Sequence, residues 1–421
     1  MGKTRKGSAI LCADVGTTSL KAALIDIGGG EKRLLAFSRE TYQASGGAAG
    51  SAELWEAAFY RAVKVLRGLA PAASIEALCI SGNGPTLVPL EGNALTGRAL
   101  PPLHWFSPKL PAPPSGDGGA RSLFLPYAAY FRQNEPQNYA KTDIFLSCQE
   151  WLSARLGAAP VTVLPTAYYR PYYYDEKQLA AFSLDSRKFP PFAPLGTFIG
   201  HVSTKAARLG GLVAGLPIVS GGPDFIMALL GSGAVEPGLV CDRAGSSEGI
   251  NVCVKEAPPA AAVAAPPLRS LPHAVEGLWN VSVVLPESGS IFDRYRLETG
   301  QQDIPYEEML KNMACAAAGE GAALHPVLQK IADGVRLALE TLRKAGYPVS
   351  EMRHSGGQAK SRLWNSLKAD VCGCTLLVPE IVDTELAGNA AAATFALGDS
   401  RSIAAACKKI VVIKTRYGRT A

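Results

Sequence analysis

The chain has 421 residues, of which 48% are hydrophobic and 19% are charged. At about 150 residues per domain, this length predicts two or three domains, and the apolar content excludes an intrinsically disordered chain. The 42 basic residues against 36 acidic ones give a formal charge of only +6. This mild excess, without a basic block, argues against nucleic acid as a partner.

The cysteine spacing and the lengths of the apolar segments predict the cellular compartment. The nine cysteines form no CxxC pair and no metal-ligand array, so they predict reduced thiols rather than zinc sites or disulfides. The first residues lack the apolar core of a signal peptide, and no run of about 18 apolar residues predicts a membrane span. We therefore expect a cytoplasmic protein that does not bind a membrane.

Apolar runs alternate with segments of helical periodicity, which predicts the α/β class. The predicted elements, in chain order, are strands over 9–13 and 20–27, a helix over 51–69, a strand over 75–81, a surface loop over 101–115, an aromatic surface loop over 168–174, a strand over 216–220, a helix from 225, and strands over 239–242 and 250–254.

The turn between the first two strands carries hydroxyl groups and a glycine. Gly16 allows a close backbone approach, and the amides and hydroxyls around Thr17 and Thr18 suit an anion. Asp14 beside a phosphate needs a divalent cation such as Mg²⁺, and Lys21 could offset charge on a transferring phosphoryl group. A hairpin with an ordinary Asx-type turn suits the same residues, so both interpretations stay open.

A similar turn, Gly245-Ser246-Ser247, lies between two later strands. The recurrence of strand, hydroxyl-bearing glycine turn and strand predicts two similar halves, with a boundary near residue 233. We expect one domain over 1–232 and another over 233–421. A chance recurrence stays open, because such turns are common.

The motif Asp14-x-Gly16-Thr17-Thr18-x-x-Lys21 resembles the first phosphate motif of the FGGY carbohydrate kinases. That family belongs to the actin-like ATPase superfamily, which implies two duplicated ribonuclease-H-like domains flanking a central cleft. The segment from Gly200 to Asp224 resembles the family's longer segment that ends at its catalytic aspartate. The resemblance implies that Asp224 is the general base, although an aspartate at a helix start is also a common N-cap, and it could be both.

Three later segments resemble the family's nucleotide side. Gly245-Ser246-Ser247 resembles its second phosphate turn, although a carboxylate at Glu248 is unexpected near ATP. Ser355 to Asn365 resembles its adenosine motif, and a glycine turn that caps an ordinary core helix is the alternative. The segment from Pro286 to Tyr295 is expected to form another edge of the nucleotide site, with Gly289 as the contact. Glu385 to Ala390 resembles a small-residue helix expected to pack behind the adenosine motif.

The acceptor side departs from the family pattern. The family often has Gly-Gln after its third strand and then Trp-x-Asp-x-Arg, whereas this chain has Gly82-Asn83-Gly84-Pro85-Thr86 and Trp105-Phe106-Ser107-Pro108-Lys109. Serine for aspartate and lysine for arginine change the polar groups that would hold sugar hydroxyls. The sugar therefore cannot be carried over from the family.

The resemblance implies an ATP-dependent carbohydrate kinase that binds Mg²⁺-ATP in the interdomain cleft and phosphorylates a small sugar or polyol. The residues expected to bind nucleotide are Gly16, Thr17, Thr18, Lys21, Gly245, Ser246, Ser247, Gly289, Gly356, Gly357, Gln358 and Ser361. Those expected to bind the acceptor are Gly84, Pro85, Trp105, Asp224 and Phe225, and those expected at the metal are Asp14 and Asp224.

Two other functions stay open. A non-catalytic sugar- or nucleotide-binding protein of the same fold would explain the departures on the acceptor side. A sugar-independent actin-like ATPase would couple hydrolysis to a protein partner. No GxxxxGK[ST] loop is present, which excludes a P-loop kinase. A homodimer is compatible with the sequence and is not specified by it.

Overall fold

The computed structural model describes residues 7–30, 33–42, 51–104, 107, 122–259, 267–315 and 325–418. The chain divides into two compact units: unit 1 comprises Met1–Met227 and Glu385–Ile410, and unit 2 comprises Ala228–Thr384 and Val411–Ala421. The assignment of acceptor binding to 1–232 and nucleotide binding to 233–421 stays a prediction.

Unit 1 is built on a six-stranded sheet in the order β10-β11-β4-β1-β2-β3. Its strands are β1 (Ser8–Val15), β2 (Ser19–Asp26), β3 (Leu34–Thr41), β4 (Ser74–Gly82), β10 (Phe198–His201) and β11 (Pro217–Pro223). The central strands β1, β4 and β11 run parallel, whereas β2, β3 and β10 pair antiparallel with their neighbours. Two small sheets contain β5 (Val88–Glu91), β6 (Arg98–Ala99), β7 (Ile144–Leu146), β8 (Thr162–Leu164) and β9 (Phe192–Pro194).

Unit 2 is built on a seven-stranded sheet in the order β14-β15-β13-β12-β16-β17-β18. Its strands are β12 (Val240–Ala244), β13 (Glu248–Val254), β14 (Leu268–Pro272), β15 (Trp279–Leu285), β16 (Glu351–Gly356), β17 (Thr375–Pro379) and β18 (Ile413–Tyr417). Here β12, β16 and β17 are parallel, and β13, β15 and β18 pair antiparallel beside them. Apart from the extra edge strand β14, this repeats the order and directions of the first sheet. The predicted α/β class and the predicted duplication are confirmed.

Helix α1 shows why the chain forms helices beside these sheets. Its apolar residues recur every three or four positions, so Trp55, Phe59 and Leu66 form one buried stripe. That stripe shares a core with Leu11 and Leu24 of the first sheet. Each such side chain contributes roughly 1.5–3 kcal/mol on burial. The predicted helix over 51–69 is confirmed as Ala52–Leu69.

The helices begin in one unit or the other. Those that begin in unit 1 are α1 (Ala52–Leu69), α2 (Leu125–Asn134), α3 (Pro136–Lys141), α4 (Cys148–Leu156), α5 (Glu176–Ala181), α6 (Thr204–Gly210), α7 (Asp224–Ser232) and α13 (Ile403–Ile410). Those that begin in unit 2 are α8 (Gly289–Glu298), α9 (Tyr306–Cys315), α10 (Pro326–Lys344), α11 (Arg362–Cys372) and α12 (Thr384–Ala396). Among the described residues, no helix is both long and apolar enough to cross a membrane.

Two predicted loops have different outcomes. The aromatic segment 168–174 was expected as a packed surface loop, and Ala167–Tyr172 forms a 3₁₀ helix. Tyr169, Tyr173 and Tyr174 are buried there, because the aromatic rings pack inward. Most of the predicted loop over 101–115 lies outside the described residues.

The small-residue helix α12 makes close contacts in unit 1 through Gly388 and Asn389. Its expected place behind the adenosine motif stays a prediction. A Cβ on Gly388 would lie 2.1 Å from the Met227 carbonyl oxygen, so only glycine allows this approach to α7. The Asn389 Nδ2 donates to the Ala13 carbonyl (2.8 Å) and to the Ser81 hydroxyl (3.0 Å). The helix therefore fixes the ends of β1 and β4.

Two helical glycines should respond oppositely to alanine. Gly388→Ala should lower the free energy of unfolding by about 1–3 kcal/mol, because the added methyl overlaps a backbone carbonyl. Gly68→Ala in α1 should raise it by about 0.5–1 kcal/mol, because nothing lies within 4 Å of its Cβ position and alanine favours a helix. Urea unfolding midpoints measure both, and shifts in the same direction would contradict this packing.

Candidate functional site

The carboxyl ends of three parallel strands bring the candidate residues of unit 1 to one edge. Strand β1 ends after Asp14, β4 leads into Asn83, and β11 leads into Asp224. The register pairs Asp14 with Ser81 and Pro223 with Gly82, so the three ends are level. In open α/β sheets this edge is where ligands bind.

Asp14 carries a buried carboxylate that the protein compensates only in part. It is 3% exposed, accepts a hydrogen bond from the Ser81 hydroxyl (2.8 Å), and its Oδ2 lies 4.0 Å from the Lys21 Nζ. Burial raises the pKa of Asp14 to about 7, with Glu385 and Asp224 adding to the rise and Lys21 opposing it. A buried carboxylate whose negative charge is only partly neutralised is suited to bind a divalent cation.

The 16–18 turn is held so that its amides face outward. The Tyr42 hydroxyl donates to the Gly16 carbonyl (3.1 Å), and the Tyr42 N–H donates to the Thr18 carbonyl (3.2 Å). Because a trans peptide directs its N–H away from its C=O, the Thr17 N–H points away from Tyr42. Thr17 and Thr18 are exposed, and within the described ranges their N–H groups have no hydrogen-bond partner. Such adjacent amides form an anion site.

Asp224 is the first residue of α7 and is half-buried. Its Oδ1 accepts a hydrogen bond from the Phe225 N–H at 2.7 Å. A typical N-cap precedes the helix and accepts from an N–H two or three residues ahead, so this geometry differs from the capping alternative. The carboxyl group therefore lies at the strand end, where β11 leads into α7.

The expected acceptor residues lie near the same edge where they are described. Gly84 and Pro85 follow β4, are half-buried and share a cis peptide bond, and Phe225 is half-buried beside Asp224. Trp105 lies outside the described residues. The Asn83 side chain is engaged internally, because its Nδ2 donates to the Val15 carbonyl and its Oδ1 accepts from the Thr86 hydroxyl.

In unit 2 the 245–247 turn is bound to the start of α8. The Gly289 N–H donates to the Gly245 carbonyl (3.0 Å), and the N–H groups of Ser288 and Ser290 donate to the Ser246 carbonyl (2.9 and 3.1 Å). A Cβ on Gly289 would lie 2.5 Å from the Gly245 oxygen, so this contact requires glycine. Both turn carbonyls face the helix.

The opposite side of that turn is polar and accessible. Gly245, Ser246 and Ser247 are exposed. Since the carbonyls of Gly245 and Ser246 are held by α8, the N–H groups of Ser246 and Ser247 point the other way. Neither of these N–H groups has a hydrogen-bond partner among the described residues. The turn can therefore bind an anion as the 16–18 turn can.

The segment after β16 supports the same turn. Gly356 has a φ of +88°, and a Cβ there would lie 2.3 Å from the Ala244 carbonyl, which explains the glycine. Gly357 has open space around its Cβ position. The Gln358 amide is 5% exposed and donates to the Gly245 carbonyl at 3.3 Å. Ser361 is buried and caps α11, accepting from the Trp364 N–H. The side chains of Gln358 and Ser361 thus have structural partners.

Several residues at these sites are not marked by any local sequence pattern. Tyr42, Ser81 and Glu385 act on the first turn or on Asp14 from distant positions, so no local pattern marks them. Gln149, at the start of α4, is buried, and its Oε1 would lie 2.9 Å from a Cβ on Gly82. Only tertiary structure brings these residues to the strand ends.

Two family models match the chain. The model "FGGY family of carbohydrate kinases, N-terminal domain" matches residues 126–231, and the corresponding C-terminal domain model matches residues 322–397. The duplicated units described above account for one match in each half of the sequence.

Curated relatives and solved structures are consistent with these models. The chain is 23% identical to an autoinducer-2 kinase of Yersinia enterocolitica over 332 residues, 65% of this chain and 61% of the relative. It is 24% identical to an L-fuculokinase of Salmonella typhi, over 71% of this chain and 70% of the relative. The chain thus spans less than two thirds of the length of the first of these relatives.

Among solved structures, a xyloylose kinase from Brucella ovis superposes with a TM-score of 0.77 at 17% identity, over 98% of this chain and 95% of that chain. A glycerol kinase from Plasmodium falciparum gives a TM-score of 0.75 at 14% identity, over 98% of this chain and 94% of that chain. At these identities the likeness shows the fold alone. Both domain models of the FGGY family of carbohydrate kinases are thus matched in their expected order, and the chain is similar to that family in both parts.

Proposed function

We propose that this protein transfers the γ-phosphate of ATP to a hydroxyl of a small sugar or polyol. The observation that carries the proposal is the grouping of Asp14, the 16–18 turn and Asp224 at one sheet edge. Asp224 is close enough to Asp14 to raise the pKa of its carboxyl. A cation-binding carboxylate, an anion-binding turn and a second carboxylate are what phosphoryl transfer to a hydroxyl needs.

Each residue of unit 1 then has a role. Asp224 orients the acceptor hydroxyl and takes up its proton, since a loose transition state needs positioning more than a strong base. Asp14 would hold Mg²⁺, which when bound neutralises charge on the transferring phosphoryl group. Lys21, paired in register with Asp14, supplies a further positive charge.

Unit 2 would bind nucleotide by the same physical means. The exposed amides and hydroxyls of Ser246 and Ser247 would hold phosphate oxygens. Gly356 and Gly357 would allow the adenosine to lie against the backbone, since Gly357 leaves open space where a side chain would stand. Gly289 would act by positioning the turn.

Replacing Asp224 should separate chemistry from nucleotide binding. Asp224→Asn should lower kcat by roughly 10²–10⁴-fold, because the amide cannot accept the hydroxyl proton. The KM for ATP should change less than about threefold. Steady-state ADP release with a saturating acceptor measures both quantities.

Asp26→Asn is the matched control for that experiment. Asp26 is more buried than Asp224 and lies at the end of β2 away from the 16–18 turn, where it accepts from the Gly30 N–H. It should leave kcat within about twofold. If Asp224→Asn retained the full rate, Asp224 would have no role as the base.

Asp14→Asn should remove a pH dependence from the stability of the metal-free protein. The folded pKa of Asp14 is about 7 against an ordinary 3.8, so the folded state holds a proton that the unfolded state releases. Its contribution to stability is present at low pH and is lost as pH rises through 7. Between pH 5 and 8 the wild type should lose on the order of 3 kcal/mol relative to the variant.

Urea unfolding at both pH values measures this loss. Asp370→Asn, an exposed position on α11, should keep the wild-type slope. Mg²⁺ added at pH 8 should stabilise the wild type and not Asp14→Asn. An unchanged slope in Asp14→Asn would show that Asp14 does not carry the uncompensated charge.

The internal hydrogen bonds of Asn83 favour one alternative, a non-catalytic binding protein, because that amide is not available to a sugar hydroxyl. ADP release should be measured with fuculose, autoinducer-2, xylulose, gluconate and glycerol, alongside calorimetric titration of ATP. Acceptor-dependent ADP release supports the kinase. Nucleotide binding without turnover supports the non-catalytic protein, and ADP release without any acceptor supports an ATPase.

A further inference from the structure

Unit 2 contains a fully buried cluster of charged groups beneath the 245–247 turn. The Lys368 Nζ lies 2.7 Å from an Asp242 oxygen and also donates to the Glu248 carboxylate. The His354 Nδ1 lies 2.7 Å from the same Asp242 oxygen. All four side chains are at most 1% exposed. These groups come from β12, β13, β16 and α11, so the cluster ties four elements together.

Lysine rather than a metal occupies the centre of this cluster. Asp242, Glu248 and His354 present ligand atoms within 4.8 Å of one another, which is a metal-like arrangement. The Lys368 ammonium is within hydrogen-bond distance of both carboxylates and 3.5 Å from the His354 Nδ1. Burial lowers the pKa of Lys368, but Asp242 and Glu248 outweigh it and raise the pKa, so the ammonium stays charged. The cluster is therefore a buried ion pair.

A hydrogen-bonded chain runs from the ion pair to the turn. The second Glu248 oxygen accepts from the Ser288 hydroxyl (2.6 Å), and that hydroxyl accepts from the Gln358 Nε2 (2.8 Å). The Gln358 Nε2 also lies 3.3 Å from the Gly245 carbonyl, and its Oε1 accepts from the Trp364 Nε1 (2.8 Å). The chain thus links the Glu248 carboxylate to the Gly245 carbonyl, which the Gly289 N–H also holds.

We propose that Glu248 and Lys368 are positioning residues, which act through Ser288 and Gln358 to direct the amides of the 245–247 turn towards a nucleotide phosphate. Lys368 fixes the Glu248 carboxylate away from solvent. Ser288 transmits that position to the start of α8, whose N–H groups hold the Gly245 and Ser246 carbonyls. The proposal rests on the proposed function, because it assumes that this turn binds phosphate.

The test separates the phosphate contacts from the rest of the nucleotide. Ser288→Ala removes the link but leaves the ion pair in place, so it should fold. The Kd for ATP should rise about tenfold, because the turn amides would no longer be held towards the phosphates. The Kd for adenosine, which lacks phosphates, should change less than twofold. Calorimetric titration measures both, and a general structural defect would weaken both ligands alike.

Two further variants complete the experiment. The variant Glu248→Gln keeps the Lys368–Asp242 ion pair and should also weaken ATP selectively. Ser270→Ala, on β14 in the same unit and outside the hydrogen-bonded chain, should bind both ligands as the wild type does. Equal weakening of both ligands, or no weakening by Ser288→Ala, overturns the positioning role. A wild type that binds no nucleotide at all overturns the proposed function instead.

Discussion

The structure depends on how each unit compensates a buried carboxylate near the end of a central strand. Unit 2 supplies its own cation, because Lys368 reaches Asp242 and Glu248 from α11. Unit 1 does not complete this compensation. Lys21 stands 4.0 Å from Asp14, and the pKa of that carboxyl remains raised. An aspartate left in this state costs stability without a ligand, and a bound cation offsets that cost. The same sheet topology thus yields a fixed ion pair in one unit and a candidate cation site in the other.

Much of the fold follows from local sequence signals. Apolar runs predicted the central strands of unit 1 and strands β12 and β13 of unit 2. The glycine turns with hydroxyl groups predicted the two hairpins, because these signals are contained within a few residues. The predicted limits differ by a few residues: β11 extends to Pro223 because it stays paired with Gly82 of β4. The edge strand β10 pairs with β11 through only a few residues, and such short strands carry weak patterns.

The site was less predictable, since its geometry depends on contacts between distant positions. Glu248 illustrates the limit. Beside a phosphate turn a carboxylate is unfavourable if it faces the ligand, and nothing nearby in the sequence shows that it faces inward. The structure resolves this through Lys368, which is 120 residues away in the chain. Gln358 gives a second example, because its side chain holds the Gly245 carbonyl, a contact that no local pattern indicates, and its nucleotide contact stays a prediction.

The two glycine turns show why an anion site can be inferred from the backbone, whereas the identity of the acceptor cannot. Tyr42 holds the Gly16 carbonyl in unit 1, whereas Gly289 and Gln358 hold the Gly245 carbonyl in unit 2. The partners differ, but each fixes a carbonyl inward and so turns the next amide outward. Backbone geometry therefore keeps the amides of both turns directed outward despite different side chains. Recognition of a sugar depends on side chains and not on the backbone, because each hydroxyl must contact a particular side chain. One replacement such as Asn83, engaged with Val15 and Thr86, removes a contact altogether.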